Sequence, residues 1–313
     1  RYYAQNEGLG DEIAFAIEDH YKPRFAGDEL PRNQVGVCVA LADKLVTLVD
    51  MFYMGEVPTG DKDPFALRRH ALGVIRILIE KGLSLELNTL IQQVINTLKN
   101  SEIAQQWKSN HSGKMEESES NSLECRRNAY ALPDSTPGTS EIIFTKLFNF
   151  IYERLAGSLR EQGYTAQEVD AVLSLNPQQL SDIPKRLAAV RAFAVLPEAA
   201  SLSAANKRVG NILKKTEGSI SDTVDTGLLQ EPAEQALYQA LTGFSSKTRE
   251  AFDSGDYTAS LQILAALKSP VDTFFDHVMV NVEDESLRNN RLALLKQLHQ
   301  IMNQIADLSK LAT

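Results

Sequence analysis

Val37, Leu41, Leu45, Leu48 and Phe52 recur every three or four positions. That spacing puts them on one face of a helix and scatters them over both faces of a strand. The same period returns in Leu67, Ala71, Ile75 and Leu78, then in Leu87, Leu90, Ile91, Val94, Ile95 and Leu98, and again in Ile143, Leu147, Ile151, Leu155 and Leu159. No sustained Val/Ile/Thr alternation appears, and no Asn-Gly turn joins two strand-like runs. The spacing therefore predicts an all-α fold. Punctuation agrees with it. Asp63 is expected to cap a helix that has Pro64 at its first position and Gly82 as its left-handed stop. Thr165 and Glu168 have the spacing of a capping box. Further helices are expected after Asn176-Pro177, after Pro197, after Pro232 and from about Ser254, with a last one from about Glu283 to Leu311.

A length of 313 residues suggests two domains of ordinary size. The one long break in periodicity, residues 101–140, is rich in Ser and mixed charge and ends in Pro133 and Pro137. It reads as a polar linker or insertion, with Trp107 as a local anchor. The organisation expected is residues 1–100, a linker over 101–140, and a second helical domain over 141–313. The chain opens Arg1-Tyr2-Tyr3-Ala4, with neither a starting Met nor a helix-start signal, and so reads as a piece of a longer protein.

The net charge of -9 excludes a protein that coats nucleic acid with a generally basic surface, though not one that presents a local basic stripe. Apolar runs fall short of the roughly 18 residues that span a bilayer. No export leader is apparent. Cys38 and Cys125 form no CxxC pair, which fits a reducing, cytoplasmic setting.

Catalytic signatures are missing. The segment Gly55–Asp63 imitates a phosphate loop, but its Lys62 comes one place late, no Ser or Thr follows, and a helix rather than a strand precedes it. The histidines His20, His70, His111, His277 and His299 are not paired at metal-ligand spacing, so neither a catalytic nor a metal site is expected. Three basic features remain. Lys207-Arg208 and Lys214-Lys215, seven residues apart with no acid between Glu198 and Glu217, stack four cations into one helical stripe. Lys62, Arg68, Arg69 and Arg76 surround another helix, either meeting phosphates or forming a solvated face with Asp61, Asp63 and Glu80. The last helix repeats Leu287, Leu294, Ile301 and Leu308 every seven residues, with Leu298 and Ile305 as a second row. Extending that second row back one heptad reaches Arg291, next to Arg288 and Asn289-Asn290. A guanidinium there either caps or pairs within the core, or projects its fork of donors toward a ligand.

Several segments together resemble the β subunit of the bacterial tetrameric glycyl-tRNA synthetase. They are His20–Asp28 (HYKPRFAGD), Ala40–Leu45 (ALADKL), Pro58-Thr59-Gly60 with Lys62–Arg69 (KDPFALRR), Ala205–Lys215 (ANKRVGNILKK), Phe274–Val280 (FFDHVMV) and Arg288–Leu292 (RNNRL). The tail is also similar to the helical anticodon-binding domain of arginyl-tRNA synthetases. The resemblance implies that residues 1–100 are the end of an HD-type helical domain and that 141–313 are an anticodon-binding bundle. Asp43 matches the last aspartate of the HD motif, without the His-Asp pair that should precede it. The resemblance further implies tRNA(Gly) and an α subunit as partners in an α2β2 assembly, with ATP and Mg used at the α subunit. No cofactor is expected in this chain, and neither DNA nor a membrane as partner. Lys207, Arg208, Lys214 and Lys215, with Arg68 and Arg69, become the expected phosphate contacts; Arg288, Asn290 and Arg291 become the expected base contacts. The other readings are a relic of an HD-type metal-dependent phosphohydrolase, which would hold metal near His20 and Asp43, and a helical scaffold that docks subunits.

Overall fold

The computed structural model describes residues 1–100, 139–216 and 218–312. Among them are helices, short 3-10 turns and two isolated bridges, Thr59 to Lys62 and Glu86 to Gln179, and no β-strand. The expectations for the linker and Trp107 fall on residues 101–138, outside those described. The chain divides into two compact units, Arg1–Ser158 with Gln178–Ser181, and Leu159–Pro177 with Asp182–Thr313.

The first unit contains α1 (Tyr2–Asn6), α2 (Asp11–Asp19), α3 (Gln34–Tyr53), α4 (Leu67–Glu80), α5 (Leu87–Asn100) and most of α6 (Thr139–Glu161). The first two were not anticipated, and a helix starts directly at Tyr2. Helix α3 is the hub and packs against α2, α4 and α5. Its stripe of Val37, Leu41, Leu45, Leu48 and Phe52 is buried as the period requires. Each fully buried Leu or Phe contributes about 1.5–3 kcal/mol. Asp63 does cap α4, but from outside: its carboxylate accepts from the Leu67 and Arg68 amides at 2.8 and 3.1 Å. The helix thus begins three residues after Pro64, and Ala66 takes a left-handed conformation, φ 55°, to enter it. Gly82, φ 61°, follows α4 as expected.

The boundary expected at residue 141 also moves. Helix α6 belongs to the first unit as far as Ser158, because Phe150 packs its ring 5.3 Å from that of Phe52 and the Tyr53 hydroxyl meets Ser140 Oγ at 3.0 Å.

The second unit contains α7 (Ala166–Leu173), α8 (Ile183–Ala194), α9 (Ala199–Lys215), α10 (Pro232–Asp253), α11 (Tyr257–Ala265), α12 (Lys268–His277) and α13 (Glu285–Met302). The capping box at Thr165 and Glu168 forms as its spacing predicts. The helix expected from Ser254 is two helices, α11 started by the Asp256 carboxylate on the Ala259 amide and α12 set off by buried Leu267. Helix α13 stops at Met302 and does not run on to Leu311. Beyond it the chain turns inward to bury Ile305, Ala306 and Leu308. Arg186 holds the turn by donating to the Gln304 and Ile305 carbonyls at 3.1 and 2.9 Å. No single helix among the described residues is long and apolar enough to cross a membrane. The bent pair that passes by composition includes α8 and α9, whose Ile183, Leu187, Val190, Phe193 and Leu202 form the core of this unit.

Candidate functional site

Helix α9 carries the clearest candidate surface. Ala199, Ala200, Ala204 and Ala205 give it high intrinsic helicity. Leu202, Ala205, Asn206 and Val209 fix its buried face. Asn206 is buried with its amide paired reciprocally to Asn303, at 2.8 and 3.0 Å. This pins the rotation of the helix. Lys207, Arg208, Asn211, Lys214 and Lys215 consequently face solvent.

Four cations thus lie along about two turns. None of them has an ion-pair partner among the described residues. Lys214 and Lys215 also sit in the last turn, where the helix dipole favours cations. That accounts for two of the four; Lys207 and Arg208 lie a turn or more earlier. The Arg208 guanidinium stacks over the Phe275 ring, 4.1 Å from its centroid. Stacking holds the planar group open and directed while leaving its edge donors available. Lys207, Arg208, Asn211 and Lys215 line a shallow groove of about 420 Å³ with Ala204 and Ile212. Burial pushes the nearby His299 imidazole down, and the Lys214 charge adds to this.

Two of the three expected base readers on α13, Asn290 and Arg291, are not available. Arg291 is buried, its Nε paired with the Glu234 carboxylate and its Nη1 donating to the Met279 carbonyl at 2.7 Å. Asn290 is also buried: its side chain accepts from the Asp225 amide at 2.8 Å and donates to the Asp225 carbonyl at 2.9 Å, clipping the loop ahead of α10. Both are internal fasteners, so neither can reach a ligand without unfolding its surroundings. Arg288 is half-exposed beside Glu285, 4.0 Å away, and is free to reach outward.

The basic cluster of the first unit also separates. Arg68 donates to the Gly60 carbonyl. Arg76 is a strap, bonded to Glu80 at 2.6 Å and to the Asp28 carbonyl at 2.9 Å. Lys62 and Arg69 are exposed, with no side-chain partner among the described residues. Neither His20, bonded to the Ile17 carbonyl at 2.8 Å, nor Asp43 joins a metal-binding set, since no cluster of three or more His, Cys, Asp or Glu suited to a metal occurs among the described residues.

Two groupings escaped sequence reasoning. One is a polar groove of about 700 Å³ lined by Tyr238, Thr242, Arg249, Gln297, Gln300 and Gln304, which brings α10 and α13 together. No local spacing signals it, because its two sides lie about fifty residues apart in sequence. The other surrounds Lys44 in the first unit.

Comparison with known proteins gives these surfaces a context. The family model for the glycyl-tRNA synthetase beta subunit matches residues 1–174, more than half of the chain. The chain belongs to the glycyl-tRNA synthetase beta subunit family. A second model, for the DALR anticodon binding domain, matches residues 202–312, the stretch that holds the cationic face of α9 and the polar groove. Similar proteins include the glycine–tRNA ligase beta subunits of Methylobacillus flagellatus, 57% identical over 312 residues, and of Janthinobacterium sp. (strain Marseille), 58% identical over 312 residues; each alignment covers 100% of this chain and 39% of the relative. The corresponding subunit of Nitrosomonas europaea is 56% identical over 316 residues, covering 100% of this chain and 40% of the relative. The chain thus spans about two-fifths of the length of these curated relatives.

Proposed function

We propose that this chain is the RNA-recognising portion of a glycine–tRNA ligase β subunit, and that α9 contacts the phosphates of the anticodon arm of tRNA(Gly). The observation that carries the reading is the row of four exposed cations, unpaired among the described residues, inside the stretch matched by an anticodon-binding model. In a protein of net charge -9, such a face concentrates positive potential where a phosphate backbone needs it. Phosphate contacts supply affinity and orientation. Base discrimination requires planar donors and acceptors, which the groove of Tyr238, Arg249, Gln297, Gln300 and Gln304 supplies in the same unit. No residue of this chain takes part in bond making in this reading. Attachment of glycine, with ATP and Mg, belongs to the α subunit of an α2β2 assembly in the cytoplasm.

The test is binding of the chain to tRNA(Gly), and to the same tRNA with its anticodon replaced, at two salt concentrations. Lys207→Glu with Lys214→Glu is expected to weaken both RNAs equally and to flatten the log–log salt slope by roughly 1.5–2, as the loss of two phosphate contacts requires. Unchanged affinity and slope in that variant would exclude α9 as the RNA-binding face.

A further inference from the structure

In the first unit, the segment after α2 and the adjoining parts of α3 and α4 enclose a cavity of about 290 Å³ lined by Tyr21, Pro23, Arg24, Lys44, Ala66, Arg69 and His70. Its lining contains three cations and an imidazole, and no carboxylate. The volume lies near the lower end of the roughly 300–1,000 Å³ range of small-molecule sites.

The cation at the back is the unusual one. Lys44 is only 2% exposed, yet its Nζ donates to a single neutral partner, the Tyr21 carbonyl at 3.0 Å. No carboxylate of the described residues pairs with it. A buried ammonium is normally paired, because desolvation of the lone charge is unfavourable. Its seat is shaped by Gly73, where a Cβ would lie 2.7 Å from Lys44 Cε and 2.9 Å from Cδ. The absence of a side chain at 73 is therefore what admits the lysine. His70 adds a buried Nδ1 with no hydrogen-bond partner. At the mouth, Arg69 is exposed and unpaired among the described residues, while Arg24 is fixed in place by Asp28, its Nε donating at 2.9 Å and its Nη2 at 3.2 Å. Ala66, the N-cap of fourteen-residue α4, also lines the cavity, but the Asp63 carboxylate offsets the positive end of that helix dipole. The α4 amides of Leu67 and Arg68 are already taken by Asp63 and contribute no donors of their own.

We infer that this cavity binds a phosphate group, with Lys44 and Arg69 as charge partners, Arg24 at the rim and His70 as a further donor. A planar carboxylate is matched by one guanidinium fork. Donors converging from several elements suit a tetrahedral ligand with several acceptor oxygens. The site lies in the first unit and does not depend on the RNA-binding reading of α9. The phosphate can come from a small free monoester or from an RNA strand, and the test separates the two.

The experiment is thermal and calorimetric titration of the chain with inorganic phosphate at constant ionic strength, using chloride as the control. Phosphate is expected to raise Tm in a concentration-dependent way beyond chloride. Arg69→Ala, at an exposed position, is expected to weaken phosphate binding at least about tenfold, as losing one charge-assisted contact implies. Lys44→Met is expected to abolish it while circular dichroism remains helical; should that variant fail to fold, Arg69→Ala decides alone. Displacement of bound phosphate by AMP identifies a small monoester, displacement by a short RNA duplex alone identifies a backbone phosphate, and either supports the site. No phosphate-specific stabilisation, or the same stabilisation in Arg69→Ala, overturns it.

Discussion

Replacing Arg291 with Ala separates a fastening role from a base-reading one. The side chains of Arg291 and Glu234 are 7% and 1% exposed, so the substitution strands a carboxylate in the interior and frees the Met279 carbonyl. Removing one partner of a buried pair costs about 3–5 kcal/mol. The Glu231 amide still donates to Glu234 at 2.8 Å, which keeps the loss toward the lower part of that range. For a unit of about 150 residues each kcal/mol moves Tm by roughly 2–4 °C, so a fall of about 6–15 °C is expected. Scanning calorimetry of the full chain reads this as a selective shift of one transition, with the first unit unaffected. The double variant Arg291→Met with Glu234→Gln, which leaves an acceptor for the Glu231 amide, is expected to recover most of the loss. Binding of tRNA by the fraction still folded should be unchanged. A Tm within about 2 °C of the parent, together with lost anticodon discrimination, would refute the fastening role and return Arg291 to the ligand surface.

Two further outcomes follow from named contacts. Arg191 donates to Glu168 at 2.7 and 2.9 Å, and these bonds hold the Glu168 carboxyl down at about 2, from an ordinary 4.5. A depressed folded-state value means stability that is present above about 4.5 and lost as the pH falls toward 2; Arg191→Gln should flatten the Tm-against-pH curve over that interval, and an unaltered curve would count against the pairing. Gly73→Ala should destabilise by about 1–3 kcal/mol, because the Lys44 stem must leave its seat, and adding Lys44→Ala should restore most of it in chemical denaturation. If the double variant is as unstable as the single one, the close approach is not the cause.

The helical class and most helix faces were legible from one dimension, because burial imposes a period that neighbours along the chain reveal by themselves. The stripe at Val37–Phe52, the capping box at Thr165–Glu168 and the cation row of α9 all appear where the spacing puts them. The ends of elements were less legible. Asp63 reaches its helix from outside, and the turn after α13 is held by Arg186 from a segment more than a hundred residues away. A helix end is decided by whatever satisfies its free amides and carbonyls, and that partner need not be local.

The sequence by itself settled that this chain is helical, that α9 presents four cations on one face, and which family its segments resemble, since each rests on residues close together along the chain. Tertiary structure alone decided which basic groups remain available. Arg291, Asn290, Arg76 and Arg68 look as free in sequence as Lys207 or Arg69, but each is committed to a carboxylate or a backbone group. It also gathered Arg24, Lys44, Arg69 and His70 around one cavity from three separate segments. Charge and hydrogen-bonding capacity are properties of a residue. Whether they are already spent inside the protein depends on distant partners, and only packing brings those partners within reach.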